Sequence, residues 1–362
     1  MSTPRISHRK IDHIKICATR NVESGRTNGL EDILLVHRSL PEIDMEDVDT
    51  SCIFMGHRLS LPFVIEAITG GTRQAERINQ RLAAAAEKLQ VAMGVGSQRI
   101  AIENSALERS FRIVRETAPS AFLIANIGAP QLVAGYGPEE AKKAIEMISA
   151  NALAIHLNTV QETIQPEGEP MAEGVIDKIR EIARQVNVPV IVKETGAGIS
   201  AEEAVRLKAV GVSAIDVAGV GGTDWARVEG YRNNGRVKKS GMKLFFGWGI
   251  STAASIVEVK QTTDLTTIAS GGIRDGVQIA KAVALGASGA GAARPLLSAA
   301  LSSFVSVEQV IRTISEEVKT AMFLTGSKTV ADLRQVPLVI FGNTHHWLTE
   351  RGFDTEEYAR RK

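Results

Sequence analysis

Lys193 closes the apolar run Val190-Ile191-Val192. A lysine placed there is partly desolvated and has to face an anion or an acceptor. Upstream, His156-Leu157-Asn158 ends another apolar run, and Gln161 and Glu162 follow at once, so an imidazole, two amides and a carboxylate leave one segment together. Further along, Ser270-Gly271-Gly272-Ile273 and Ala293-Arg294-Pro295 each interrupt a strand-like run and precede a helical pattern. Such junctions expose unpaired backbone N–H groups at the positive end of a helix dipole, which suits a phosphate. Cations are available from Arg5, His8, Arg9, Lys10 and His13 near the N-terminus and from Arg99 after Gly96-Ser97-Gln98. The N-terminal cluster reads in two ways, as a solvated arm or as an arm that folds over a site and brings cations to an anionic substrate. Taken singly, Asn126 is as well explained by a turn cap and His156 by a satisfied core histidine.

Eight short apolar runs position these residues, near 63–68, 91–95, 122–126, 153–158, 188–194, 214–218, 265–269 and 287–292. Helical patterns separate them, at 75–89, 106–117, 138–149, 172–185, 201–210, 252–260 and 277–283, with a last helix opening at Pro295. Eight alternating strand–helix units predict a closed (β/α)8 TIM barrel. A doubly wound open sheet is the competitor, but it wants its fingerprint glycines after the first strand. Here nearly every strand end is polar or glycine-rich, including Thr69-Gly70-Gly71, Ser97-Gln98-Arg99, Asn126 and Gly221-Gly222-Thr223, which suits one ring of loops around one mouth. The expected division is an arm over 1–60, the barrel over 61–304, and a C-terminal helix and tail over 305–362. Residues 30–36 and 53–54 read as short strands near the barrel floor. Residues 161 and 162 fall in a long polar loop. An insertion at 224–247, with Trp225, Tyr231 and a basic run over 232–239, reads as a lid or binding loop. A helix over 307–324 has an apolar face for an oligomer contact or for the barrel floor.

The net charge of +1 gives no electrostatic case for nucleic acid or for a membrane surface. Aromatic residues are only 4% while Ala, Val, Ile and Gly abound, as parallel strands buried on both faces prefer. Two cysteines, Cys17 and Cys52, make a disulfide framework unexpected and fit a reducing cytoplasm. The first fifteen residues lack the apolar core of a signal peptide, and no run approaches a membrane span, so a soluble cytoplasmic protein is expected. His345-His346 has no third ligand at helical spacing and reads as surface.

The ordered set of motifs carries a resemblance. Ser7-His8-Arg9-Lys10, Ala67-Ile68-Thr69-Gly70-Gly71, Gly96-Ser97-Gln98-Arg99, Ala125-Asn126-Ile127-Gly128, His156-Leu157-Asn158 with Gln161-Glu162, Lys193-Glu194, Gly221-Gly222-Thr223 and Ser270-Gly271-Gly272-Ile273-Arg274 resemble type 2 isopentenyl diphosphate isomerase. One departure is Ile68, where that family leads us to expect Met. The resemblance implies interconversion of isopentenyl and dimethylallyl diphosphate with reduced FMN, Mg2+ and NADPH or NADH as the reductant. It assigns the flavin to Ala67, Ile68, Thr69 and Gly70, to Ser97, Asn126, Lys193 and Thr223, and to Gly271, Gly272, Ile273, Ala293 and Arg294. It assigns the substrate to Arg9, Lys10, Ser97, Gln98 and Arg99 with His156, Asn158 and Gln161, and the metal to Glu162. Gln161, Lys193 and His156 are the implied catalytic residues. In this reading flavin N5 donates a proton to the alkene and Lys193 maintains an anionic N1 edge. A homo-oligomer, tetramer or octamer, is implied as well. The rivals are a flavin-dependent 2-hydroxy-acid oxidase, which wants a His-Arg pair at the late strand ends, and an IMP dehydrogenase-like enzyme, which wants a cysteine after strand six. Cys17 and Cys52 both precede the barrel. A non-catalytic flavin- or phosphosugar-binding barrel is the third, and it has no use for the Arg9-Lys10 arm or Glu162.

Overall fold

The computed structural model describes residues 3–232 and 242–362. Eight parallel strands close into a barrel: β1 (Phe63–Ile65), β2 (Ala92–Gly94), β3 (Leu123–Gly128), β4 (Ala152–His156), β5 (Val190–Lys193), β6 (Ala214–Asp216), β7 (Thr266–Ala269) and β8 (Gly289–Ala292). The seam pairs Gly291 with Val64 and Ala292 with Ile65. All eight apolar runs are therefore strands, and nearly all of their residues are buried. That is the signature of parallel strands covered by helices on the outside and filled by side chains inside.

Register puts chemistry at one height. Gly128 pairs with His156, His156 with Lys193, and Lys193 with Asp216 across four successive strands. Strand β8 consists of Gly and Ala only, and this leaves interior room: a Cβ on Gly291 would lie 2.2 Å from Glu66 Oε1. Glu66 follows β1, its amide donating to Ala292 O at 3.0 Å.

The arm is a helix, Thr3–Thr19, packed on the helices Arg99–Glu103, Trp225–Arg232 and Arg294–Ser302, with Ile14 and Cys17 buried under it. Residues 20–29 then cross the barrel mouth, stitched down by Ser24 N to Gly222 O, Asp224 N to Val22 O and Asn28 Nδ2 to Gly272 O. Ile33–Leu35 pairs antiparallel with Leu338–Ile340 of the tail. Cys52–Phe54 and His57–Leu59 form a hairpin beneath the barrel, with Phe54 and His57 edge-on to Phe122.

Three local expectations are corrected. Residues 159–164 are a short helix instead of an open polar loop, so Gln161 and Glu162 sit in its first turns. The pattern over 106–117 splits into a short turn and the helix Arg109–Thr117, with a separate helix Arg99–Glu103 before it. The long C-terminal helix, Phe304–Leu324, is N-capped by Ser303 and packs on the flank, against the helices Arg73–Leu89, Gly276–Ala284 and Arg294–Ser302, not across the floor. The basic run over 232–239, including Lys238-Lys239, lies outside the described residues after Arg232. Among the described residues no helix is long and apolar enough to cross a membrane.

Candidate active site

A cavity of about 260 Å3 occupies the C-terminal mouth of the barrel, roofed by Arg9, Lys10 and His13 of the arm helix. Its walls come from all eight strand ends.

One end is an anion cradle. Gly271 and Gly272 have φ of 101° and 81°, and a Cβ on either would fall 2.2 or 2.3 Å from the carbonyl oxygen of Gly219 or Gly221. Only glycine fits there, on conformational and steric grounds together. The two helices that follow differ. Asp275 caps Gly276–Ala284 by accepting from Gln278 N at 2.8 Å, so that terminus already holds a carboxylate. Arg294–Ser302 begins after Ala293, has no side-chain cap, and so keeps free donors for an anion. Arg274 and Arg294 both line this end and both bond Glu23, leaving one positive charge in excess among the three. Arg294 also donates to Cys17 O and Arg20 O, which ties the cradle to the arm. Thr223 and Ile273 complete the end.

Lys193 stands at the floor. Its Nζ donates to Glu194 O at 2.8 Å and lies 3.6 Å from Asp216 Oδ2 and 3.9 Å from Glu66 Oε2. Burial alone would pull this ammonium down, but Asp216, Glu66 and Glu194 outweigh it and hold the group above its ordinary value. Lys193 is a fixed cation. Ala67, Ile68, Thr69, Ser97 and Asn126 line the wall between it and the arm.

The arm side gathers donors. Lys10 Nζ donates to Ser97 O at 2.8 Å and sits 5.5 Å over the Phe111 ring, while Arg9 reaches Gln165 at 3.4 Å. Arg99 lines the same side, held by Glu103 at 2.7 Å. Burial, then repulsion from Arg9, lowers Lys10 to about 7. Asn158 Nδ2 donates to Glu162 Oε1 at 2.9 Å, but its own Oδ1 is buried without a partner. Glu162 Oε2 accepts from Gln165 and from Glu169 N. Gln161 Nε2 donates to the fully buried Glu229, whose same oxygen meets His13 at 2.8 Å.

His156 differs from a titrating catalyst. Burial first, then Lys193 and Lys10, lower it to about 3, so the ring is neutral across the physiological range. Its Nδ1 meets Asn126 Oδ1 at 2.7 Å and so carries the proton, leaving Nε2 as an acceptor.

Two expected residues do not face the cavity. Gln98 is fully buried with its carboxamide spent in the wall: Nε2 donates to Ala144 O at 2.8 Å and Oε1 accepts from Asn126 N at 2.8 Å. It ties the loop after β2 to β3 and has no group left for a substrate. Gly70 lies against Phe111, where a Cβ would come within 2.1 Å of the ring. Gln98→Ala should therefore lower stability by about 1–3 kcal/mol through the stranded Asn126 amide. A urea midpoint shift with unchanged substrate KM is the expected pair of readings; a raised KM with unchanged stability contradicts it.

Sequence reasoning missed Glu66, Asp216, Glu229 and Glu23. Glu66 and Asp216 carried a related signal, a charge inside the apolar runs 63–68 and 214–218. Glu229 and Glu23 gave none, because their importance comes from partners more than fifty residues away.

A family model described as FMN-dependent dehydrogenase matches residues 158–339. Curated relatives named isopentenyl-diphosphate delta-isomerase are similar over nearly the whole chain. That of Methanothermobacter thermautotrophicus is 50% identical over 356 residues, covering 98% of this chain and 99% of its own. That of Pyrococcus furiosus is 47% identical over 362 residues, covering 98% and 91%. Among solved structures, a mandelate oxidase carrying an FMN adduct superposes with a TM-score of 0.63 at 19% identity, over 91% of this chain and 95% of its own. At that identity the likeness concerns the fold.

Proposed function

The chain belongs to the isopentenyl-diphosphate delta-isomerase family, in its type 2, FMN-dependent form, and from that premise we propose that its cavity interconverts isopentenyl and dimethylallyl diphosphate using reduced FMN, Mg2+ and a nicotinamide (NADPH or NADH) as the reductant. The observation that carries this reading is one cavity with an anion cradle and a buried lysine cation on one side and a two-cation arm with a lone carboxylate corner on the other.

The residues fit each group. The cradle of Gly271, Gly272 and the uncapped start of Arg294–Ser302 suits the flavin phosphate, and Lys193 suits the electron-rich edge of the ring. Reduced FMN supplies an electron-rich face and an exchangeable proton beside the substrate alkene. Arg9, Lys10 and Arg99 neutralise the diphosphate, with Ser97 beside them. Among the described residues no cluster of three or more His, Cys, Asp or Glu could hold a metal alone. A single carboxylate is enough for Mg2+ when substrate phosphates and water complete the shell, and the unpartnered Asn158 Oδ1 beside Glu162 offers a further hard oxygen.

Protonating an unactivated alkene creates a tertiary cationic centre that water would capture. Arm closure over the mouth excludes that water, and Trp225 and Ile68 add apolar wall. Gln161 orients the alkene end, its amide fixed by Glu229. A neutral amide is too weak a base to remove the proton itself. His156, neutral with a free Nε2, accepts a hydrogen bond and does not act as a cationic acid. No histidine lies between His156 and His345, so the His-Arg pair of a 2-hydroxy-acid oxidase has no source at the late strand ends.

The test is reconstitution. Purified protein should be yellow or take up FMN, and should isomerise isopentenyl diphosphate only once the flavin is reduced and Mg2+ is present. Protein that stays colourless with added FMN would sink the reading. In the same assay Glu162→Gln should lose activity that excess Mg2+ partly restores; indifference to both removes Glu162 from the metal.

A further inference from the structure

We propose that Glu66 and Asp216 hold one proton between them behind Lys193, and that this carboxyl pair is a positioning element that sets the net charge presented to the bound cofactor. Glu66 leaves β1 and Asp216 ends β6, yet both reach the same ammonium, at 3.9 and 3.6 Å. Their side chains are 8% and 2% exposed and that of Lys193 is 13% exposed. Two ionised carboxylates sharing one cation away from water leave an uncompensated negative charge, and a pair held on one ammonium relieves it by keeping one proton.

Donors near the pair decide which member carries the charge. Asp216 Oδ1 accepts from Ser270 Oγ at 2.6 Å and from Ala218 N at 3.3 Å, the environment of an anion. Glu66 Oε1 is buried and has no partner among the described residues, and it points at Gly291, which offers no side chain. Burial, then repulsion from Asp216, pushes Glu66 up to about 8, in the same direction. Glu194 faces the same ammonium from the next residue; its carboxylate accepts from the amides of Thr195, Gly196 and Ala197 while burial pushes it up to about 7, and His156 is neutral. Behind Lys193 itself the cluster is thus one ammonium, one carboxylate on Asp216 and one neutral acid on Glu66.

The experiment has two arms. In the apoprotein near neutral pH, infrared difference spectra should show a protonated carboxylic C=O band that disappears in Glu66→Gln and also in Asp216→Asn, where Glu66 must ionise as the sole counterion. Wild-type apoprotein with no such band, or a band that neither substitution moves, overturns the proposal. This arm does not depend on the flavin. The second arm rests on the FMN reading and compares Kd for oxidised and reduced FMN, titrated anaerobically. Glu66→Gln should leave their ratio unchanged. The double variant Glu66→Gln/Asp216→Asn, with no counterion left, should favour reduced FMN at least about tenfold, a rise of about 30 mV for a two-electron couple. A tenfold change from Glu66→Gln alone would show that Glu66 is an anion and defeat the proposal. Failure to bind FMN at all strikes the cofactor reading and leaves the infrared arm to decide.

Discussion

Lys193→Met should reduce kcat/KM for isopentenyl diphosphate by about 10^3-fold or more, equivalent to about 4 kcal/mol of transition-state stabilisation. The residue is a buried cation at the cavity floor, and it opposes Asp216 and Glu66 at 3.6 and 3.9 Å. Removing it withdraws the charge proposed to face the flavin ring and strands two carboxyl groups in the barrel. Breaking a buried ion pair by deleting one partner costs about 3–5 kcal/mol. The variant should therefore also be less stable as apoprotein, and a pH series separates the two losses. Without the ammonium the Glu66 carboxyl keeps a folded-state pKa above its unfolded one, raised first by burial. Groups of that kind stabilise the fold below the unfolded pKa and lose the contribution as pH rises through the folded pKa. The stability defect should shrink on acidification toward about pH 5, just above the ordinary carboxylate range, while the catalytic defect should not. A thermal melt series and anaerobic FMN titration over the same pH range check both. Catalysis recovering together with stability would reduce Lys193 to a structural role.

Legibility of this architecture in the sequence followed burial. Runs such as Val190-Ile191-Val192 are buried on both faces, so each strand announces itself, and regular spacing of eight leaves little choice of fold. Lys193 was legible because a charge at the end of such a run is costly. Glu66 and Asp216 interrupt apolar runs and so were visible too, but that they meet the same ammonium follows from barrel closure, which no local pattern encodes. Gln98 shows the converse. Its neighbours Ser97 and Arg99 line the cavity, and a Ser-Gln-Arg string suggests three ligands. The residue stands just before the helix Arg99–Glu103, however, and turns its side chain back into the wall. The arm was ambiguous for a different reason. Among its residues from 8 onward only Ile14 and Cys17 are buried, too few apolar positions to set a period. The neutrality of His156 was beyond reach, since it depends on burial in the closed barrel and then on Lys193 and the distant Lys10 meeting at one ring.

Replacing both Arg9 and Lys10 with alanine should raise the KM for isopentenyl diphosphate by about 10^2- to 10^4-fold, because hydrogen bonds to charged groups contribute about 1.5–3 kcal/mol each. FMN affinity should change far less, since Lys10 bonds Ser97 O and Arg9 bonds Gln165, not the cradle glycines, Arg294 or Lys193. Lys10 also gives the binding a pH signature. In the free protein burial, then Arg9, lowers it to about 7, with only Ser97 O as a hydrogen-bond partner. A bound diphosphate favours its charged form, so substrate affinity should be full below that pKa and fall as pH rises through it. Proton uptake on binding should appear above that pH in buffers of different ionisation enthalpy. Lys10→Met should abolish both. The same lysine destabilises the closed arm. Its folded pKa lies below the unfolded value of about 10.4, so the fold carries the full penalty below about 7 and is relieved progressively as pH rises from there toward the unfolded value. At neutral and lower pH, arm amides in Lys10→Met apoprotein should exchange more slowly than in the wild type, although substrate binds more weakly. A tighter arm with poorer binding would identify Lys10 as a residue kept for its ligand at a cost in stability. Faster exchange together with weaker binding would instead make it an ordinary packing contact of the arm.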